Sequence, residues 1–261
     1  MPIFETLLLD IAPPFAHLTL NRPQQRNAIS FQMMGELVTA VRELNALDDI
    51  RAIVLSGTGG NFSTGGDIGD LKAAERMSAG EQDAAVAQMD TVLRLLNESP
   101  KVVIAKVDGM ALGGGFGLVC VSDIAVSSTT ATFGLPEVRL GIVPALIAPY
   151  VVQRIGVTRA RALMLTGVRF DGVSAHEYGL VNEVCPAEIL DECVSLFLNE
   201  IRQCSPAALA ACKRLIHEST RQSLDDSLPY RVNLLNTLRA SDEGQEGLTA
   251  ALQKRPPRWS V

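Results

Sequence analysis

The sequence contains few of the residues that build metal sites, disulfide frameworks or surfaces for nucleic acid. Its five cysteines include no CxxC pair, and its three histidines lie far apart along the chain. We therefore expect no structural metal site, and scattered thiols of this kind are typical of reduced cysteines in a cytoplasmic protein. Twenty-three lysines and arginines are outnumbered by 29 acidic residues, which gives a net charge of −6 without any basic block. Such a chain is not expected to bind nucleic acid.

Long apolar runs are also missing. The longest one, residues 141–152, contains Pro144 and Pro149 and is too short to cross a bilayer. The first residues lack the positive stretch and the apolar segment of an export signal. We therefore expect no membrane anchor and a cytoplasmic location.

What the sequence does contain is material for a large core. Hydrophobic residues make up 47% of the 261 residues and charged residues 20%, which excludes a disordered chain. Strands are predicted at 7–10, 15–20, 51–56 and 102–107, and Ser30 is predicted to cap a long helix. From residue 205 onward the pattern is helical, with loops expected at Pro206 and Pro229. This order predicts an α/β fold with a helical C-terminal part.

Two segments share one plan, in which a buried strand runs into glycines and then into a helix. They are RAIVLSGTGGNFSTGGDI and KVVIAKVDGMALGGGFGLV, and neither matches GxGxxG or the P-loop ending GK[ST]. Glycines let the backbone approach a ligand closely, and a helix start presents free N–H groups to an anion or oxyanion. Either loop alone is as consistent with an ordinary glycine turn, but two in the same context favour a ligand site.

One carboxylate, that of Glu137, is a candidate for acid–base catalysis. Glu137 belongs to the stiff, apolar segment FGLPEVRLGIVP. Burial there would raise its pKa toward the range that suits acid–base catalysis. An ion pair with Arg139, or a helix-capping role after Pro136, is the structural alternative that spacing alone leaves open.

Four ordered motifs resemble the crotonase (enoyl-CoA hydratase/isomerase) superfamily. They are LNRPQQRNAIS, GNFSTGGDI, KVVIAKVDGMALGGGFGLVCVSDIAV and FGLPEVRLGIVP, and two later segments extend the likeness to the end of the chain. The resemblance implies an α/β, crotonase-like spiral of ββα units over residues 1–200. It further implies a helical trimerisation region over 201–261 and a homotrimer or dimer of trimers. The substrate would be an acyl-CoA thioester, with coenzyme A as part of the substrate and no other cofactor.

The resemblance also implies roles for individual residues. The amides of Thr64 and Gly114 would form an oxyanion hole, and Glu137 would be the catalytic acid–base. Gly117 and Pro136 would lie in the substrate pocket. The CoA moiety would lie along Arg26, Ala28, Thr64, Gly65, Gly66, Asp67 and Ile68. Within that set, Arg26 would face the phosphates unless it is simply a solvated arginine, and Asp67 is expected mainly to fix its loop.

The chain departs from the two-carboxylate hydratases of this superfamily at one position. Gly117 lies where those enzymes carry their first glutamate, so only Glu137 of the pair is present. A single glutamate also suits Δ3,Δ2-enoyl-CoA isomerases. Ala145 lies where dienoyl-CoA isomerases carry an aspartate, which argues against that activity.

The segment GIVPALIAPYVVQRIG resembles a variant found in hydratases of branched glutaconyl-CoA esters. These are 3-methylglutaconyl-CoA hydratases of leucine breakdown and isohexenylglutaconyl-CoA hydratases of acyclic terpene breakdown. We therefore expect a lyase that hydrates such an ester, whose own carboxylate would supply polarity that Gly117 does not. A Δ3,Δ2-enoyl-CoA isomerase and a non-catalytic acyl-CoA-binding protein are the alternatives. Met77, Met89 and residues 142–150 would line a long apolar pocket or pack in the core, and core packing is the expectation.

Overall fold

Two β-sheets and the helices that cover them organise the chain in the computed structural model, which describes residues 3–260. The strands are β1 (Leu7–Ala12), β2 (Phe15–Leu20), β3 (Ala52–Gly57), β4 (Val102–Val107), β5 (Met110–Leu112), β6 (Ile124–Ser128), β7 (Thr132–Gly134), β8 (Arg169–Asp171) and β9 (Glu183–Cys185). Within the described range the large sheet has the strand order β1-β2-β3-β4-β6-β9, and the small sheet has the order β5-β7-β8. All neighbours are parallel except the pairs β1–β2 and β7–β8.

The helices alternate with the strands and then close the chain. They are α1 (Phe31–Ala46), α2 (Ile68–Ala73), α3 (Ala79–Asn97), α4 (Gly114–Val121), α5 (Ala148–Thr166), α6 (Gly172–Glu177), α7 (Leu190–Arg202), α8 (Pro206–Arg221), α9 (Leu228–Ala240) and α10 (Asp242–Leu252). Helix α5 is interrupted at Gly156, whose φ of +76° is not helical. A 3₁₀ helix over Pro136–Leu140 leads from β7 toward α5.

A repeated ββα unit explains why there are two sheets. In β4-β5-α4 and again in β6-β7-α5, the first strand joins the large sheet and the second joins the small one. The central strands are covered on both faces, and β3 is accordingly an almost continuous buried apolar run. The α/β spiral predicted from the resemblance is confirmed.

The main hydrophobic core lies between the large sheet and helices α1, α3 and α4. Leu37 and Leu44 of α1 and Leu96 of α3 are fully buried there. A second cluster lies on the other face of the sheet, where Val194 and Leu198 of α7 pack on its strands. Each such side chain stabilises the fold by about 1.5–3 kcal/mol, which fixes the frame that carries the two glycine loops.

Several sequence predictions are confirmed in detail, and two are corrected. The strands predicted at 7–10 and 15–20 form and pair antiparallel as β1 and β2, and Ser30 Oγ accepts from the Met33 N–H at 3.1 Å to cap α1. Pro206 and Pro229 were predicted to lie in loops. They instead occupy the first turns of α8 and α9, where proline's missing N–H costs nothing and its fixed φ suits a helix start.

Helix α3 begins at Ala79, because a capping box between Ser78 and Glu81 starts it inside a polar stretch. One further boundary differs from the sequence prediction. Helix α7 runs to Arg202, just past the predicted end of the core at residue 200. The division into 1–200 and 201–261 stays a prediction.

The described part of the chain, residues 3–260, contains no helix that is both long and apolar enough to span a membrane. Over the same residues, no three or more His, Cys, Asp or Glu side chains are grouped so that they would hold a metal ion.

Candidate active site

The two glycine loops are joined to each other by backbone hydrogen bonds. The Ser63 N–H donates to the Met110 carbonyl at 2.8 Å, and the Leu112 N–H donates to the Ser63 carbonyl at 2.9 Å. Gly65 has a φ of +91°, and a Cβ there would lie 2.8 Å from the Leu112 carbonyl oxygen. Only glycine therefore permits this close approach.

In the first loop, the amide of Gly66 is left free. The Ile29 N–H donates to the Gly65 carbonyl at 2.8 Å, and the Ile29 carbonyl accepts from the Asp67 N–H at 3.0 Å. These two hydrogen bonds flank Gly66, which forms an isolated parallel β-bridge with Ile29. Backbone groups of an extended chain alternate in direction, so the Gly66 N–H points away from Ile29. It has no acceptor among residues 3–260.

The prediction that the Thr64 amide belongs to the oxyanion hole is wrong. That N–H donates to the Arg26 carbonyl at 3.2 Å and is already used inside the protein. The next amide, that of Gly65, donates to Ser63 Oγ at 3.2 Å. Among the successive residues Thr64, Gly65 and Gly66, only Gly66 therefore has an amide that is available to a ligand.

In the second loop, the free amide comes from the start of a helix. Gly113 has a φ of +51° and donates its own N–H to the Gly134 carbonyl at 3.0 Å, and no side chain caps α4. Gly114 is the first residue of that helix, so its N–H has no acceptor within the helix. A Cβ on Gly114 would lie 3.7 Å from the Gly66 nitrogen. The predicted Gly114 position is therefore beside the free amide of the first loop, and such a donor pair suits a developing oxyanion.

Glu137 lies at the same place, on the 3₁₀ helix that Pro136 begins. A Cβ on Gly113 would lie 3.0 Å from Glu137 Oε1, while Oε2 is buried and has no hydrogen-bond partner in the described chain. Burial raises the pKa of Glu137 above its ordinary value of 4.5. Arg139 donates to the Thr166 carbonyl at 3.1 Å and forms no ion pair with Glu137 within residues 3–260. The ion-pair alternative is therefore wrong.

Two cavities meet at Glu137. One, of about 430 Å³, is mostly apolar and reaches Gly114, Met89 and the segment 142–147. The other, of about 590 Å³, is more polar and reaches Gly113. The polar cavity brings together Arg26, Ala28, Thr64, Gly65, Gly66, Asp67, Ile68 and Pro136. All the residues predicted to hold CoA thus share one cavity wall with Glu137.

The expectation of core packing for the segment after Glu137 needs correction. Residues 142–147 line the apolar cavity, and Val143 is 69% exposed. Met89 lines it as well, whereas Met77 lies at a separate surface depression and Tyr150 belongs to another cavity. Residues 142–147 connect the 3₁₀ helix to α5 along this cavity, and their apolar side chains form part of its lining.

Gly117 does not line either cavity, contrary to the prediction. It is buried in α4, and a Cβ there would overlap the Cγ2 of Ile147 and lie 3.0 Å from its Cβ. Ile147 therefore fills the space into which a glutamate at position 117 would project. The sequence carried no sign of this, because the two residues are brought together only by the packing of α4 against α5.

A clamp that the sequence prediction missed holds the first loop. Arg22 Nη1 donates to Asp67 Oδ2 at 2.8 Å and to the Ala28 carbonyl at 2.6 Å. Asp67 Oδ1 accepts from the Gly69 N–H at 2.8 Å and caps α2, which confirms its loop-fixing role. Burial works against ionisation of Asp67, but Arg22 and these amides hold its pKa below its ordinary range.

Known proteins are similar in sequence to nearly the whole chain. The model of the enoyl-CoA hydratase/isomerase family matches residues 12–261. A probable enoyl-CoA hydratase of Mycobacterium bovis, echA8, is 33% identical over 258 residues, which are 98% of each chain. The 2,3-dehydroadipyl-CoA hydratase of Escherichia coli is 32% identical over 244 residues, or 92% of each chain. Enzymes with such names are hydro-lyases.

Solved structures are similar to this chain over nearly its whole length. Pseudomonas aeruginosa AtuE is 41% identical to this chain and superposes with a TM-score of 0.96, covering 98% of this chain and all of that one. The chain belongs to the enoyl-CoA hydratase/isomerase family, within the crotonase superfamily.

Proposed function

We propose that the chain is a hydratase that adds water across the α,β double bond of a branched, carboxylated enoyl-CoA. The observation that carries this proposal is the meeting of the free Gly66 and Gly114 amides with the buried Glu137 at the junction of two cavities. A thioester oxygen placed between the amides would be stabilised as negative charge develops on it.

The chemistry follows from these three groups. Glu137 takes a proton from water as the water oxygen forms a bond to C3 of the enoyl group. The electron pair of the double bond moves toward the thioester, and the resulting enolate oxygen accepts hydrogen bonds from Gly66 and Gly114. Glu137 then gives the proton to C2, which leaves a 3-hydroxyacyl-CoA. The raised pKa of Glu137 suits both steps, since the same group must act as base and then as acid.

The substrate that we propose is isohexenylglutaconyl-CoA or 3-methylglutaconyl-CoA. The apolar cavity of about 430 Å³ suits a hydrocarbon branch, and the segment 142–147 that resembles the glutaconyl-CoA hydratases lines it. We further propose that CoA lies along the polar cavity, with Arg26 toward the phosphates. No further cofactor is required by this chemistry.

An isomerase is the second candidate, because the site has a single carboxylate and Ile147 closes the position of a second one. Glu137 would then move a proton from C2 to C4 without water uptake. A silent acyl-CoA-binding protein is less well supported, since a buried carboxylate without a partner costs stability and serves no purpose in a mere binder.

The test is product analysis with isohexenylglutaconyl-CoA, 3-methylglutaconyl-CoA, crotonyl-CoA and a 3-enoyl-CoA. Each is incubated with the wild-type protein and with Glu137→Gln. We expect a 3-hydroxy product, formed fastest from the long branched ester and lost in the variant. A shifted double bond without water uptake would replace the hydratase with the isomerase, and no product from any ester would favour the binder.

Assembly and location are proposed on the resemblance alone. We propose a homotrimer or a dimer of trimers in the cytoplasm. Light scattering should give three or six times the mass of the chain, and a monomer would overturn this proposal.

A further inference from the structure

The two cavities differ sharply in the charges that line them. The apolar cavity reaches Asp67, Asp70, Glu75 and Glu137, and no lysine, arginine or histidine of the described chain lines it. A free carboxylate on the acyl group would therefore be repelled there, where no cation compensates for its lost hydration. The polar cavity, by contrast, has two cations in its wall.

Those two cations, Arg26 and Arg169, come from different elements of the fold. Arg26 belongs to the loop before α1, next to the residues proposed to hold CoA. Arg169 begins β8 in the small sheet and lines the same cavity as Glu137. Neither arginine forms an ion pair with any residue between 3 and 260.

The small sheet explains how Arg169 reaches the cavity. Arg169 pairs across the sheet with Gly134, and Gly134 pairs in turn with Leu112, the residue before Gly113. Because Gly134 has no side chain, the stem of Arg169 lies across it, with Cγ 3.3 Å from where a Cβ would be. The arginine thus shares a cross-strand row with the residue that leads into the second glycine loop.

We propose that Arg169 binds the free carboxylate of the branched acyl group. This inference rests on the proposed function, which supplies a carboxylated substrate. The hydrocarbon branch would then enter the apolar cavity while the carboxylate stays in the polar one, so the two branches at C3 are sorted by charge. A planar guanidinium offers two parallel N–H donors that match a carboxylate.

The experiment measures dissociation constants in a Glu137→Gln background, which holds the thioester without converting it. The ligands are 3-methylglutaconyl-CoA and its methyl ester, which share one carbon skeleton and one CoA. The added substitutions are Arg169→Met, which keeps most of the stem over Gly134, and Arg169→Lys, which keeps the charge. Arg26→Met reports on CoA binding, and Arg161→Met, an exposed arginine of α5 outside both cavities, is the matched control.

Arg169→Met should weaken binding of the acid by about tenfold to a hundredfold, the usual effect of losing a charged hydrogen-bonded partner. It should change binding of the methyl ester by less than about twofold. Arg169→Lys should retain part of the preference for the acid. Arg26→Met should weaken both ligands equally, and Arg161→Met should change neither.

Three results would overturn the proposal. If Arg169→Met weakens both ligands alike, the arginine binds the CoA phosphates instead. If it weakens neither, or if the parent binds the acid no better than the ester, there is no carboxylate subsite at Arg169. These results are separate from a failure of the hydratase proposal, which would appear as the absence of a 3-hydroxy product from a wild-type protein that still prefers the acid.

Discussion

Each of the two glycine loops presents a free backbone amide to the apolar cavity beside Glu137, but by different means. In the first loop, every neighbour of the Gly66 amide is engaged: Thr64 bonds to Arg26, Gly65 to Ser63 and Asp67 to Ile29. In the second loop, Gly114 is free because it begins a helix that has no cap. A free N–H donor can thus arise in two ways. In an extended segment successive N–H groups point in opposite directions, and at the start of a helix the first N–H groups have no acceptor.

The two loops are also held in place by different interactions. The first loop is fixed by polar side chains, among them the clamp between Arg22 and Asp67 and the fully buried Asn27, whose amide donates to the Thr58 and Asn61 carbonyls. The second loop is fixed by packing, because residues 115–121 of α4 are all buried and apolar or glycine. The first loop should therefore be sensitive to loss of polar groups, and the second to changes in volume.

The largest effect should come from Glu137, the group that both loops face. Glu137→Gln should lower the turnover of hydration by about 10²–10⁴-fold, the usual contribution of a general acid–base, and leave ligand affinity within a few fold. Steady-state kinetics and calorimetry check this. A loss under fivefold would remove Glu137 from the mechanism.

The pH dependence of the same residue has a definite sign. Water activation needs the ionised carboxylate, so kcat/KM should fall as the pH drops through the raised pKa of Glu137, above 4.5. Since folding favours its protonated form, Glu137 destabilises the protein once the pH rises through that range. Glu137→Gln should therefore raise Tm at neutral pH but not below pH 4.5, and a lower Tm at neutral pH would contradict the burial argument.

The equivalence of the two amides is tested next, by proline substitution. Gly114→Pro and Gly66→Pro each remove one N–H and should each cost about 10²–10³-fold in kcat. Proline suits the first position of α4, so the fold should tolerate the first change. Gly114→Ala and Gly66→Ala keep the N–H and are the matched controls, since the nearest atoms to the new Cβ are side-chain ends of Ile29 and Leu71. Equal losses for alanine and proline would show that shape, not the amide, matters.

Smaller effects, on the free energy of unfolding, should show that the second loop is held by the packing of α4. Gly117→Ala places a methyl group on Ile147 and should lower the free energy of unfolding by about 1–3 kcal/mol, as overpacking does. In the Gly117→Ala chain, Ile147→Ala should cost less stability than it does in the wild-type chain, because it removes the methyl group that the new Cβ overlaps. Gly80→Ala in α3, where the new Cβ meets open space, should instead stabilise by about 0.4–1 kcal/mol. Urea unfolding measures all three, and a neutral Gly117→Ala would contradict the account of α4.

The smallest effects concern the side chains of the first loop. Asp67→Asn should cost about 1–2 kcal/mol of stability at neutral pH, because it weakens the clamp and the cap of α2. The lowered pKa of Asp67 means that its contribution is present above about pH 3.8 and is lost as the pH falls further, so the difference in stability from wild type should shrink in acid.

Thr64→Ala should leave the free energy of unfolding unchanged and should change kcat by less than about twofold. The reason is that the Thr64 hydroxyl lies 3.4–3.5 Å from the Arg26 and Gln25 carbonyls and makes no shorter contact with them. A large loss of kcat in Thr64→Ala would show that the Thr64 side chain acts in the active site.

Local patterns predicted much of this molecule and long-range contacts decided the rest. The buried run of β3, the Ser30 cap and the position of Glu137 follow from residues that are neighbours in sequence. Which amide of the first loop is free depends on Arg26 and Ile29, which lie far earlier in the chain, so the family resemblance alone led to Thr64 instead of Gly66. The same limit applies to position 117, because Ile147 lies thirty residues later.

Running the reaction in H₂¹⁸O distinguishes hydration by Glu137 and the two loops from isomerisation. The substrate is 3-methylglutaconyl-CoA or its isohexenyl analogue, and mass spectrometry measures the acyl product. Hydration predicts one ¹⁸O in a 3-hydroxy product, formed by the wild-type protein and nearly absent with Glu137→Gln. A product of unchanged mass with a displaced double bond would contradict it.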